Sequence, residues 1–253
     1  MQYTTQTTET SAGEARSPEK KSSISLPAAI VTAAAIIGVA ILIAVGPKGT
    51  SPSAQAPSAA APSEEATSVP ADVAKLRAED PVRGNPAADV LVIEYSDSDC
   101  PYCARFHETM QTTMSTYGEK VAWAYRYFPL DSLHPNARAE ALALSCAYEL
   151  GGNTSFWPYL DQIMGVTLSP NETSNAVLFT FASQHGIDSA ALKTCVARSD
   201  TDDRVQKSVD EAQKIGAKGT PFSIAINQKT GKQVVIPGAV DAAYMKQIID
   251  SLL

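Results

Sequence analysis

Between Ser22 and Pro47 no residue carries a charge, and "ISLPAAIVTAAAIIGVAILIAV" (residues 24–45) is almost wholly apolar. A helix packed in a soluble core keeps a polar face; this segment has none. About 20 such residues cross the hydrocarbon core of a bilayer, so 24–45 is predicted as a transmembrane helix. The 1–23 stretch before it is polar and Thr-rich and reads as a disordered tail. The 46–70 stretch after it, with "SPSAQAPSAAAPSEEATSVP", holds little that could pack and reads as a flexible tether.

From residue 71 to 253 the pattern becomes that of a folded domain. "DVLVIEYS" (Asp89–Ser96) is a Val/Ile-rich run too short for an independent helix and predicts a buried strand. Pro101 stands where a helix would begin, and a helical pattern follows to about Tyr117, ending at Gly118. "VAWAYRYF" (Val121–Phe128) predicts a second strand, stopped by Pro129. Strand, helix, strand is the unit of a parallel sheet with a crossover connection.

The pattern from His134 to Ile215 is helical, with breaks at Gly151-Gly152, Ser169-Pro170 and Gly186 that imply four or five helices. "TPFSIAIN" and "KQVVIPGA" then predict two strands joined across Gln228–Gly231, and "DAAYMKQIIDSLL" a closing helix with Asp241 near its start. The expected architecture is an α/β domain whose sheet is interrupted by an all-helical insertion, approximately 131–216.

Charge adds an orientation. Arg16, Lys20 and Lys21 precede the apolar segment and only Lys48 follows it closely, which places the N-terminus in the cytoplasm and the folded domain outside, on a single-pass protein of the cell membrane. The competing reading is a cleaved signal peptide, for which Ala54-Gln55-Ala56 would serve as a cleavage site. The long polar region and long apolar run favour a retained signal-anchor. Both readings export the domain. A net charge of −7 argues against nucleic acid as partner.

All four cysteines lie in the exported part, an even number in an oxidising compartment, where disulfides form. Cys100 and Cys103 frame "CPYC" at the predicted strand-to-helix junction. The first N–H groups of a helix lack partners and carry the positive end of its dipole, so a thiolate at Cys100 is stabilised there. Cys103, one turn later, can close a disulfide or resolve a mixed one. Pro101 fixes the backbone at the helix start, and Tyr102 contributes a backbone N–H. Two unrelated core thiols are the bland alternative. A metal alternative uses Cys100, Cys103 and His107 at i, i+3 and i+7, but zinc wants a fourth ligand and no second paired motif exists. His107 is therefore expected to be a partly exposed helix residue, and no metal or other cofactor is expected.

Through "VIEYSDSDCPYCARF", "RYFPLDSLHPNA" and "GTPF", the sequence resembles the DsbA-like branch of the thioredoxin superfamily over essentially all of 71–253. The resemblance implies a thioredoxin-like fold with the helical insertion in place. It implies that Cys100 is the exposed nucleophile and Cys103 the buried resolving thiol. Thr220-Pro221 matches the loop whose proline is cis beside the redox pair, the alternative being an ordinary loop proline. Glu94 matches a buried acidic residue that relays the proton of Cys103, the alternative being a surface strand position. Asp97 and Asp99 are expected to flank the mouth, where their charge opposes thiolate formation.

Cys146 and Cys195, 49 positions apart on predicted helices, cannot form a redox motif and are expected to pair as a structural disulfide, or else to be buried thiols. The two sequons at Asn153 and Asn171 carry no weight. The expected activity is that of a monomeric, membrane-anchored thiol–disulfide oxidoreductase that introduces disulfides into exported proteins with free cysteines. A membrane redox partner would reoxidise it. Threonine before the proline keeps a reductase or isomerase open, although no dimerisation domain is present; glutaredoxins share the tetrapeptide but not the export segment. A non-catalytic metal-binding or peptide-binding module is the alternative from another class.

Overall fold

The computed structural model describes residues 69–168 and 175–253. The predicted span at 24–45, most of the tether, the Ser169-Pro170 break and the Asn171 sequon lie outside them. Among the described residues no helix is long and apolar enough to cross a membrane.

Five strands, β1 (Val82–Gly84), β2 (Val90–Ser96), β3 (Val121–Tyr127), β4 (Phe222–Asn227) and β5 (Gln233–Pro237), form one sheet in the order β1-β3-β2-β4-β5. β2 and β3 are parallel, joined through α1 (Pro101–Tyr117); the other pairings are antiparallel. Every residue of β2, β3 and β4 is buried, which is why those runs are apolar on both faces apart from a few partnered polar residues.

Alternation survives in how each face is filled. Val92, Trp123, Tyr125 and Ala225 pack with Phe106 and Met110 of α1 and with Ile249 of α6 (Ala242–Leu252). Leu91, Ile93, Ala122, Ala124 and Ile224 face the other way, against Val73 and against Val209 and Ala212 of α5 (Ser199–Lys214). The chain between β3 and β4 holds α2 (Ala137–Thr167), α3 (Asn175–Gln184), α4 (Ser189–Val196) and α5. Its last helix thus returns to roof the sheet.

One detail departs from the sequence-based expectation: the edge strand β1 is not legible in the sequence, because its three residues are too few to display a period. The expected break at Gly151-Gly152 is present as a kink between two helical segments of α2, Gly152 adopting the non-helical φ 59°, ψ −156°, which its missing Cβ allows. Arg126, next to the end of β3, is buried at 3% exposure and satisfied by Asp80 at 2.8 Å, Tyr95 Oη at 2.9 Å and the carbonyls of Val73 and Lys75. These contacts tie the segment before β1 to the sheet. Cys146 of α2 and Cys195 of α4 are bonded (S–S 2.04 Å, Cα–Cα 5.8 Å) in the helical layer.

Candidate active site

β2 runs out at Ser96, the chain turns through Ser98 and Asp99, and α1 starts at Pro101 with Cys100 as its N-cap residue in extended backbone (φ −91°, ψ 120°). Cys100 N donates to Asp97 O at 3.2 Å, and Ala104 N to Cys100 O at 3.0 Å, so the turn and the first helical hydrogen bond both hold this residue. Pro at the first helical position costs nothing there, because its missing N–H would have had no partner. Across from it the Thr220–Pro221 peptide bond is cis, and Thr220 O lies 3.8 Å from Cys100 Sγ.

Both sulfurs are free thiols. The Cys103 thiol, donating to Cys100 Sγ, does most to lower the Cys100 pKa, to about 6. The backbone N–H groups of Cys103 and Tyr102 and the Thr220 hydroxyl add to it, against the opposing effect of burial. Cys103 moves the other way. Burial pushes it well above an ordinary thiol, and the charges of Cys100 and Glu94 push it further. Its one backbone contact is Asp97 N at 3.5 Å. Two thiols one turn apart are thereby split into an anion and a retained acid.

Cys100 itself is only 3% accessible. The exposed nucleophile expected from the resemblance is corrected: the sulfur lies against the Thr220 carbonyl, and the backbone N–H of Cys100 is held by the Asp97 carbonyl. The exposed member of the motif is Tyr102, at 60%, stacked by the Arg105 guanidinium at 4.6 Å.

Glu94 is fully buried beneath the pair. Trp123 Nε1 donates to its Oε2 at 2.9 Å, while Oε1 has no protein partner at hydrogen-bond distance. Burial raises its pKa to about 7, against the pull of Ser96 and Trp123. A carboxyl raised from 4.5 favours the folded state fully below pH 4.5, and that contribution is lost as pH rises through 7. Glu94→Gln keeps an acceptor for Trp123 and removes the titration. The stability of wild type relative to this variant should fall by about 3 kcal/mol between pH 4 and pH 8, measured by chemical denaturation at each pH. An unchanged difference would mean that Glu94 titrates as an exposed acid.

His107 is the second correction. It is buried at 3% exposure, not partly exposed, because its ring packs on Trp123 (centroids 4.9 Å apart) and its Nε2 meets Asp161 Oδ1 at 2.7 Å. Burial lowers its pKa despite that carboxylate. Among the described residues no group of three or more His, Cys, Asp or Glu is arranged to hold a metal ion.

Asp97 does not sit at the mouth as an open charge. Its side chain is buried and accepts hydrogen bonds from Asp99 N (2.9 Å), Leu130 N (2.9 Å) and His134 Nδ1 (2.7 Å). Asp99 accepts from Asn136 N at 2.9 Å, serving the start of α2 from another segment. The lowered Cys100 pKa means that the charge on these two residues does not prevail over the local donors. Asp97 and His134 are the site residues whose roles the sequence did not reveal; "LHPNA" was visible as a motif, but not what its histidine faces.

A family model described as Thioredoxin matches residues 77–251. Among solved structures, the chain superposes on a thioredoxin-like oxidoreductase from Silicibacter pomeroyi (24% identity, TM-score 0.59, covering 69% of this chain and 92% of that one). It also superposes on alpha-DsbA1 from Wolbachia pipientis (20%, TM-score 0.63, 72% and 94%) and on the catalytic domain of Proteus mirabilis ScsC (19%, TM-score 0.58, 70% and 90%). At these identities the likeness is one of fold. Curated relatives include Na(+)/H(+) antiporter NhaA 3 of Salinispora tropica, 30% identical over 142 residues (56% of this chain, 21% of the relative). Another is Na(+)/H(+) antiporter NhaA 1 of Mycolicibacterium gilvum, 26% identical over 186 residues (72% and 28%). The chain spans about a quarter of the length of these relatives.

Proposed function

The chain belongs to the thioredoxin family, and we propose that it is a thiol–disulfide oxidoreductase that oxidises exported proteins through Cys100 and Cys103. The observation that carries this reading is the opposite displacement of the two thiol pKa values, Cys100 down to about 6 and Cys103 up.

In the oxidised enzyme a substrate thiolate attacks Cys100 Sγ, the Cys100–Cys103 bond breaks, and Cys103 leaves. Glu94, whose charge acts on Cys103 and whose pKa of about 7 suits proton exchange near neutrality, returns a proton to it in this reading. The substrate's second thiolate then attacks the mixed disulfide and expels Cys100. A stable Cys100 thiolate is a good leaving group and stabilises the reduced enzyme, which makes the disulfide oxidising. The potential should lie between the roughly −270 mV of thioredoxin and the roughly −120 mV of DsbA, measured by equilibration with glutathione.

The address of the reaction rests on the N-terminal sequence. The charge-free segment 24–45, preceded by basic residues, supports a single membrane anchor with the domain on the extracytoplasmic side. The dithiol product then needs a membrane redox partner to accept its two electrons.

The test is oxidation of a reduced two-cysteine peptide by the full chain, oxidised beforehand and held in detergent. Peptide disulfide should form at one equivalent per enzyme in the metal-free protein and not in Cys100→Ser. A wild type that oxidises no peptide and carries stoichiometric zinc would replace this reading with a metal-binding one.

A further inference from the structure

The loop after β3 delivers His134 to the Asp97 turn, and Asp97 is bonded to the redox motif at both ends. Its backbone N–H points at Cys103 Sγ (3.5 Å) and its carbonyl accepts from Cys100 N (3.2 Å). Its buried carboxylate fixes His134 Nδ1 at 2.7 Å, with Leu130 N on the same oxygen. A carboxylate on Nδ1 sets that nitrogen as the donor and leaves Nε2 as the proton-exchanging atom. His134 is one-fifth exposed, so it can trade protons with solvent and with an incoming thiol.

We propose that His134, oriented by Asp97, takes up the second proton released by the substrate and holds it as an imidazolium paired electrostatically with the Cys100 thiolate. The step rests on the oxidase reading above. A substrate dithiol gives up two electrons and two protons. The electrons cleave the Cys100–Cys103 bond; one proton goes to Cys103. Cys100 remains an anion, so the other proton must find a base, and neutral His134 accepts it. The products are substrate disulfide, Cys103 thiol, Cys100 thiolate and His134 imidazolium.

The charges facing His134 all favour this. Asp97 and Asp99 from the turn and Cys100 from the start of α1 each raise its pKa, outweighing partial burial. Arg138 of α2, the cation nearest in sequence, is engaged by Asp202 at 3.3 Å and Asp131 at 3.7 Å. In the oxidised enzyme Cys100 has no charge, and one of these supports disappears. His134 must then bind its proton more weakly when the pair is oxidised, and by reciprocity its protonation favours the reduced pair.

NMR titration of the His134 ring in the full chain, oxidised and reduced, tests this directly. The expected result is a higher His134 pKa in the reduced protein, collapsing to the oxidised value in Cys100→Ser. His134→Gln, which keeps a donor to Asp97, should make alkylation of Cys100 several-fold slower near pH 6.5 without changing it above pH 9. An identical His134 pKa in both redox states overturns the proposal while leaving peptide oxidation by wild type standing. A wild type that oxidises no peptide removes the oxidase reading, and this proton transfer with it.

Discussion

Cys103→Ser is expected to accumulate as a covalent mixed disulfide when the reduced variant meets a disulfide-bonded substrate. The Cys100 thiolate attacks one substrate sulfur, the other leaves as a thiolate, and no second thiol remains to release the adduct. With Cys103 present, a Cys100 thiol of pKa about 6 is about nine-tenths ionised at pH 7, against about one-hundredth for a thiol at 9.0; in Cys103→Ser a hydroxyl donor replaces the thiol donor, and the backbone N–H of Tyr102 and the Thr220 hydroxyl still favour the anion. Attack by Cys100 should therefore dominate over any other thiol present. Cys100→Ser should form no adduct and lose exchange activity by about three orders of magnitude or more, because Cys103 is buried and held protonated. Non-reducing gel electrophoresis and mass spectrometry read both outcomes. Equal adduct yields from the two variants would mean that nucleophile and resolving thiol are wrongly assigned.

The second large effect concerns stability. The Cys146–Cys195 bond closes a loop of 49 residues between α2 and α4, and the chain-entropy relation gives about 4 kcal/mol for a loop of that size as an upper figure. Both sulfurs are buried, with the Thr201 hydroxyl at 3.9 and 3.7 Å. Thr201 keeps its own bond to Cys195 O at 2.9 Å, so replacing both cysteines by alanine orphans no polar group. The double variant should unfold at markedly lower urea concentration while the pH profile of Cys100 alkylation stays in place. A midpoint unchanged within error would show that the cross-link constrains nothing the folded helices do not already hold.

Much of this was legible in the sequence because the signals were local. The β2–α1–β3 unit announces itself through Val/Ile runs, Pro101 and Gly118. The N-cap position of Cys100 follows from the same punctuation. What the sequence concealed depends on partners brought from a distance. His107 reads as a surface residue until Asp161, 54 positions on, and Trp123 enclose it. Arg126 in a buried strand looks like a conflict until Asp80, from before β1, neutralises it. Asp97 looks like an exposed acid beside a thiolate until Leu130 and His134 arrive from beyond β3. The low accessibility of Cys100 is of the same kind, since it comes from Thr220, 120 positions away.

Exchange at this site turns on the ionisation of one sulfur. The pH dependence of Cys100 alkylation in the reduced full chain, followed together with thiolate absorbance, measures it directly. The expected midpoint is about 6; a midpoint near the 9 of an unassisted thiol would contradict the account.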